Sequence, residues 1–358
     1  MTRIPVAVLG ATGMVGQRFI ELLQGHPWFE LVGLAASEQR AGRPYKDVAQ
    51  WRLAGSDMPA EVANLPVIAC KPEALPKEVK IVFSALPGEI AGEIEADFAR
   101  AGKAVFSNAK NYRMEPDVPL LIPEVNADHA AAILEQRRRR GWAGSIVTNA
   151  NCSATPLVMA LKPLQQAFGV RRVLVTTLQA ISGAGYPGLP SYDILDNAIP
   201  YIGGEEEKVE SETRKMLGSW EEGKGFTDAP LVVSAHCNRV ATREGHLECA
   251  SVELGRQVEP EEILAAWENY TSEAQSLGLP SAPERPLLYR QEVNRPQTLL
   301  DRDAGHGMSV TLGRLRSCPI LSYKFVLLGH NTIRGAAGGS ILNAELCVKK
   351  GLIKVDNP

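Results

Sequence analysis

Arg3-Ile4-Pro5-Val6-Ala7-Val8-Leu9, followed at once by Gly10-Ala11-Thr12-Gly13-Met14-Val15-Gly16, decides the fold. The apolar run reads as a buried parallel strand, because a strand covered on both faces is continuously rather than alternately hydrophobic. The glycines turn it into a helix carrying Phe19, Ile20 and Leu23 on one face. Such a turn lets backbone amides approach a pyrophosphate while the helix N-terminus faces the anion. The spacing is GxxGxxG, not the usual GxGxxG, so the signal takes its weight from the strand and helix around it.

Outward from that unit, short apolar runs recur at 31–35, 65–69, 79–84 and 104–107, with a helical pattern at 89–100 between two of them. Alternation of this kind predicts an α/β architecture, a doubly wound parallel sheet. Near residue 150 the character changes. A helical pattern at 152–168 is followed by longer strand candidates at 172–180, 231–235, 246–254, 307–315 and 322–328, which predict a second domain with a mixed or antiparallel sheet. Gly335 to Lys349 reads as a small-residue turn and an amphipathic helix returning to the first domain. The expected division is therefore 1–150 completed by 335–358, with 151–334 between. The 358 residues agree with two domains at about 150 residues each.

Composition excludes several classes. Hydrophobic residues make up 45% and charged residues 22%, as in ordinary folded domains. Lys+Arg 38 against Asp+Glu 41 gives a net charge of -3, so no global field attracts nucleic acid or an anionic membrane, and neither is expected as a partner. No run of about 18 apolar residues occurs and the start lacks signal-peptide architecture, so the expected location is the cytoplasm. Six scattered cysteines without CxxC spacing argue against a disulfide framework or a metal site, and most are expected to be buried and inert. The run Arg137 to Arg140 reads as a solvated helix C-terminus, where cations suit the dipole.

The chemistry concentrates elsewhere. The second strand ends Ala35-Ala36-Ser37, without the acidic residue that holds a ribose diol, and Ser37 with Arg40 and Arg43 suits a 2′-phosphate; Glu38 would reverse that preference if it turned inward. Thr148-Asn149-Ala150-Asn151-Cys152-Ser153 lies between a strand candidate and a long helix. A thiol there feels the helix N-terminus, which with a basic neighbour can bring a cysteine pKa to roughly 3.5–7.5, so Cys152 is the candidate nucleophile. Gln179 ends a strand before the turn Ser182-Gly183-Ala184-Gly185, and His246 follows Gly245. A Cys/His pair can make a thiolate and manage protons during acyl transfer. His26 falls in a loop after a helix and His129 near a helix start, and His236, His306 and His330 are taken as structural.

At this point the chain resembles the aspartate-semialdehyde dehydrogenase family, in its archaeal and fungal branch. The likeness runs through GATGMVGQRF at Gly10, SNAKNYR at Ser107, NANCS at Asn149, QAISGAGYPG at Gln179, GEEEK at Gly204, CNRV at Cys237, GH at Gly245 and GAAGG at Gly335. It implies a Rossmann-type dinucleotide-binding domain plus an α+β catalytic and dimerisation domain with a mixed sheet, NADP(H) as cofactor, and a homodimer or homotetramer.

The resemblance also distributes roles. It puts the nucleophile on Cys152, the acid/base on His246 and the residue orienting the acyl intermediate on Gln179. The substrate carboxylate falls to Arg239, its amino group to Glu205, and phosphate to Arg113, Asn151 and Lys208. Cofactor positions fall on Gly10, Thr12, Gly13, Met14, Val15 and Gly16, on Ser37, Arg40 and Ser84, and on Ser182, Gly183 and Asn331. Relatives commonly read ASxRSAGK where this chain has Gln39 and, one place later, Arg40. The implied reaction is reductive dephosphorylation of aspartyl phosphate to aspartate semialdehyde and inorganic phosphate through a cysteine thioester. Malonyl-CoA reductases and N-acetylglutamyl-phosphate reductase share the chemistry with other substrates. A thiol hydrolase would leave the glycine loop and GAAGG without a task, and a nucleotide-sensing protein would leave Cys152, Gln179 and His246 without one.

Overall fold

A computed structural model describes residues 3–354, so residues 1–2 and 355–358, the last four of the expected C-terminal segment, lie outside the described residues. The first sheet consists of β1 (Ile4–Leu9), β2 (Phe29–Ala36), β3 (Val67–Ala69), β4 (Ile81–Ser84), β5 (Ala104–Ser107), β6 (Leu120–Leu121) and β7 (Ser145–Asn149). Its order is β3-β2-β1-β4-β5-β7-β6, parallel throughout. Val6, Val8, Phe83 and Phe106 face one side, packed with Phe19 and Ile20 of α1 (Met14–Leu23). Ala7, Leu9, Val82 and Val105 face the other, packed with Phe98 and Ala99 of α2 (Gly88–Arg100). Each fully buried side chain of this kind contributes about 1.5–3 kcal/mol.

Helix α3 (Ala132–Arg140) carries the arginine run, and it is less solvated than its sequence suggests. Arg140 forks onto Asp117 and Glu115, and Arg137 donates to the Leu352 carbonyl at 2.9 Å. Only Arg138 and Arg139 behave as surface cations, each paired with Glu135.

After α4 (Ala154–Phe168), the second sheet begins with β8 (Val170–Gln179) and β9 (Ala198–Ile199). Helix α5 (Glu205–Leu217) and a hairpin of β10 (Ser219–Glu221) and β11 (Gly225–Thr227) follow. Then come β12 (Val232–Val240), β13 (His246–Leu254), α6 (Pro260–Glu268), β14 (Leu287–Arg290), β15 (Val310–Ser317) and β16 (Tyr323–Gly329). The order β14-β15-β16-β13-β8-β12-β9 mixes parallel and antiparallel pairs. One face packs Val173, Val175, Ala250 and Phe325 against Leu157, Leu161 and Leu164 of α4, while the other leaves Leu174 and Val232 exposed.

The last elements among the described residues are a π-turn at Ile333–Ala337 and α7 (Gly338–Lys349). Helix α7 packs in the core of the first sheet through Ile341, Leu342, Ala344 and Leu346. It is not amphipathic: every residue from Gly338 to Cys347 is buried.

Candidate active site

Chain geometry brings the candidate groups to the line where the two sheets meet. Cys152 precedes α4, whose first turn is capped by Asn151: its Oδ1 accepts from the N–H groups of Ser153 (2.9 Å) and Ala154 (3.0 Å). Arg239 pairs with Gln179 across β12 and β8, and His246 opens β13 beside them. Cys152 Sγ lies 3.2 Å from His246 Nε2.

A cavity of about 720 Å³ opens over this point, lined by Cys152, Asn151, Arg113, Glu205, Lys208 and Arg239, and also by Val15, Ser182, Gly183 and Asn331. His246 and Gln179 stand behind its wall, almost wholly buried. A second cavity, about 510 Å³, is lined by Gly10, Thr12, Gly13, Ser37 and Arg40. Leu86 borders both cavities, so they adjoin. Three of the expected cofactor residues line neither. Met14 faces a cavity between α1 and the loop after β8, Ser84 is fully buried at the end of β4, and Gly16 packs under the Gly10 carbonyl, where a Cβ has no room.

The polar groups are closely interlocked. Asn151 Nδ2 donates to Glu205 Oε1 at 2.7 Å and Lys208 Nζ to Glu205 Oε2 at 3.0 Å. The residues expected to hold phosphate therefore touch the residue expected to hold an amino group, and the Asn151 amide keeps one N–H for a ligand. Burial pushes the Glu205 carboxyl up, but the bonds from Asn151 and Lys208 outweigh it and the net shift is downward. Asn331 accepts from Gly245 N at 2.8 Å and donates to Ser182 Oγ at 2.8 Å, tying the residue before His246 to the glycine-rich turn. Gly335 lies against Cys152: a Cβ there would come within 2.7 Å of the Cys152 Cβ. The tight approach is the reason for glycine at this point of GAAGG.

One electrostatic expectation is corrected. Cys152 is not a low-pKa thiol in this cavity: burial, with Glu205 adding to it, pushes it up to about 12, and Arg113 and Arg239 offset this only in part. Burial and the Arg239 charge push His246 down to about 3. The resting pair is a thiol beside a neutral imidazole. The cysteines as a set also differ from expectation, since only Cys237 and Cys347 are buried, while Cys249 is exposed.

Three contributors were not singled out from the sequence. Glu212 accepts from Arg113 Nη1 (2.9 Å) and from the Asn151 backbone N–H (2.6 Å). Lys215 Nζ donates to the carbonyls of Arg113, Glu115 and Val118, clamping the loop that carries Arg113. Both lie on the α5 face of Glu205 and Lys208, at helical spacing, a buried charged stripe readable once that helix is placed. The third is Lys71 on the second cavity, paired with Glu38 at 2.6 Å, so Glu38 is engaged by a cation; Arg40 Nη1 donates to Thr12 Oγ1 at 2.5 Å.

Together, fold and site define an oxidoreductase built on a dinucleotide-binding domain. A family model described as semialdehyde dehydrogenase, NAD binding domain, matches residues 5–133, and one described as semialdehyde dehydrogenase, dimerisation domain, matches 161–334. The aspartate-semialdehyde dehydrogenase of Archaeoglobus fulgidus is 50% identical over 351 residues, 98% of this chain and 100% of that protein. That of Saccharomyces cerevisiae is 46% identical, covering 97% of this chain and 98% of its own. The crystal structure of the Candida albicans enzyme with NADP superposes with a TM-score of 0.89 at 43% identity, covering 98% and 100% of the two chains. The chain belongs to the aspartate-semialdehyde dehydrogenase family.

Proposed function

We propose that the protein interconverts L-aspartyl 4-phosphate with L-aspartate 4-semialdehyde and inorganic phosphate, using NADP(H) and a thioester on Cys152. In the reductive direction it would serve biosynthesis of lysine, methionine, threonine and isoleucine in the cytoplasm. The observation that carries this reading is the 3.2 Å contact of Cys152 Sγ with His246 Nε2 at the wall of a cavity that also holds Arg113, Lys208, Glu205 and Arg239.

The second cavity suits the cofactor. A Cβ on Gly13 would meet nothing nearer than the Gly10 carbonyl at 3.5 Å, leaving room for a pyrophosphate, and Arg40 and Lys71 suit a 2′-phosphate. When bound, the dinucleotide supplies or takes up the hydride. All other work falls to the chain. Arg113 and Lys208 hold the phosphate, and Arg239 grips the carboxylate, since a guanidinium fork matches such oxygens in pairs. Glu205 receives the amino group, and Gln179 orients the acyl carbon over Sγ. The Nε2 of His246 faces both Sγ and the position of the reacting oxygen. For assembly, the open face of the second sheet, with Leu174 45% and Val232 65% exposed, supports a homodimer or a homotetramer built on it.

The test is NADPH absorbance with aspartate semialdehyde, phosphate and NADP, run beside malonyl-CoA with NADPH. Formation of NADPH that depends on semialdehyde and phosphate, and is lost in Cys152→Ala, is the expected result. Turnover of malonyl-CoA alone would overturn the substrate, and full turnover by Cys152→Ala would overturn the thioester.

A further inference from the structure

We propose that Lys110 is a further phosphate-binding residue. It is the one cation lining the catalytic cavity whose side chain has no partner among the described residues, and it is held beside Arg113 so that it closes on a phosphate lying between Arg113 and Lys208. The inference rests on the reaction proposed above and deepens it.

Lys110 to Arg113 forms a turn, closed by Arg113 N donating to the Lys110 carbonyl at 3.2 Å. Such a turn keeps its end Cα atoms within about 7 Å of each other, and both end residues line the cavity. The backbone of the turn is fixed on every side. Asn111 Nδ2 donates to the Gly88 carbonyl at 2.9 Å and the Tyr112 hydroxyl to the Gly92 carbonyl at 2.6 Å, which fastens it to α2. Arg113 Nη2 donates to the Asn108 carbonyl at 2.8 Å, and Lys215 Nζ to the Arg113 carbonyl at 2.7 Å. Lys110 itself is exposed, and only its backbone carbonyl is engaged. Its position is therefore set while its side chain is left to meet a ligand.

The cavity has little positive charge free for an incoming anion. Its lining cations are Lys110, Arg113, Lys208 and Arg239, and its lining carboxylates are Glu89 and Glu205. Arg113 is paired with Glu212 at 2.9 Å and Lys208 with Glu205 at 3.0 Å, so each cation already assigned to phosphate faces a carboxylate. Arg239 is tied to the Ala180 carbonyl and assigned to the carboxylate of the substrate. Glu89 stands in the first turn of α2, where the helix dipole favours an anion, and pairs with no cation among the described residues. A phosphate dianion entering between two neutral pairs gains little net attraction from them. Lys110 supplies the missing charge, and as a compact ammonium on a flexible stem it can follow the phosphate from the rim.

This part differs from that of Arg113. Arg113 and the Asn151 backbone share Glu212, so losing Arg113 also disturbs the peptide before Cys152. The Lys110 side chain holds none of the reacting residues, so its removal weakens phosphate without moving Cys152, His246 or Gln179. An effect confined to KM marks an interaction made equally in ground and transition states. The second cavity has its own cations, Arg40 and Lys71, and Lys110 does not line it, so dinucleotide affinity is independent of Lys110.

The experiment is calorimetric titration of inorganic phosphate into the full chain loaded with NADP, on the parent, Lys110→Ala and Lys110→Arg, beside steady-state kinetics in the phosphorylating direction. Lys110→Ala should weaken phosphate about 10-fold in both Kd and KM, the lower end of what a hydrogen bond to a charged group contributes. Its kcat at saturating phosphate should match the parent. Lys110→Arg keeps the charge and should recover most of the affinity, and the gap between the parent and Lys110→Ala should narrow as salt is raised. Equal phosphate affinity in the parent and Lys110→Ala overturns the inference, as does a loss confined to NADP affinity or to kcat. The titration needs no semialdehyde. Phosphate binding that depends on Lys110 in a chain inert towards semialdehyde would therefore count against the proposed reaction and leave this assignment standing.

Discussion

Glu212 holds the backbone of Asn151: its Oε2 accepts that residue's N–H at 2.6 Å while its Oε1 accepts from Arg113 Nη1 at 2.9 Å. One carboxylate thus links the peptide just before the nucleophile to the arginine assigned to phosphate, with Glu212 and Arg113 both buried.

Removing that carboxylate leaves the buried Arg113 guanidinium without its counter-charge, holding only the Asn108 carbonyl at 2.8 Å, and leaves the Asn151 N–H without a partner. Breaking a buried ion pair from one side costs about 3–5 kcal/mol. Glu212→Ala should lower the melting temperature and, where folded, cut kcat and raise KM for phosphate together. Glu212→Gln keeps an acceptor for Asn151 and should recover part of kcat before it recovers phosphate affinity. Calorimetry and steady-state kinetics on the two variants check this, and a selective rise in the KM for semialdehyde would contradict it.

The loop before His246 should respond to acid through Glu244. Its carboxylate pairs with Arg18 of α1 at 2.8 Å and with His330 at 3.5 Å, joining the two domains. Burial alone would push Glu244 up, but His330, Arg18 and Thr332 outweigh it and bring it from 4.5 to about 2. A carboxyl depressed in the folded state contributes stability that is present above about 4.5 and lost as the pH falls towards 2, here about 1–3 kcal/mol. Glu244→Gln should therefore melt below the parent at neutral pH, and the gap should narrow through that window. A gap that stays constant down to the acid transition would show that Glu244 contributes no ionic stabilisation.

Much of the architecture was legible because burial writes itself as pattern. The apolar run into Gly10 is β1 and its turn, and the 246–254 strand falls where its sequence puts it. Leu120–Leu121 is too short to show a period, and Leu287–Arg290 is a sheet-edge strand between turn-rich segments, so neither was readable. The site is legible in residue types and not in their state. The sequence around Cys152 suggests an activated thiol, but Glu205, which opposes ionisation, lies 53 positions away (205 − 152) and meets it only in the fold. The Ala180 N–H that faces His246 Nδ1 at 3.1 Å is a backbone group, which no side-chain pattern announces.

Cofactor choice should depend on the cations of the second cavity. Glu38 is paired with Lys71, and Arg40 reaches back across the glycine turn to Thr12, so neither leaves an uncompensated carboxylate facing a ribose. The parent should show a higher kcat/KM for NADP than for NAD. Arg40→Ala should lose roughly 10- to 200-fold of that ratio, the range of a charge-assisted hydrogen bond. Lys71→Ala should do worse than a simple charge loss, because it also releases Glu38 towards the 2′-phosphate. Equal kcat/KM for the two cofactors in the parent would refute this account of the loop.

The two anion sites should separate in kinetics although they touch in space. Arg239 is 6% exposed and its Nη1 is tied to the Ala180 carbonyl, so its fork is held rigidly beside His246 and the end of β8. Lys208 is more open and shares Glu205 with Asn151, at the α5 side of the cavity where Arg113 also lies. A substrate gripped at its carboxylate by Arg239 has its reacting carbon placed by that grip, so losing it misaligns the carbonyl over Cys152 as well as weakening binding. Phosphate gripped by Lys208 loses affinity with less effect on the carbon. In the phosphorylating direction, Arg239→Leu should raise KM for the semialdehyde and also lower kcat, while Lys208→Ala should mainly raise KM for phosphate, each by roughly 10- to 200-fold. The reverse pattern would mean that carboxylate and phosphate exchange places. No effect of Arg239→Leu on either KM would mean that the substrate carries no carboxylate at this position.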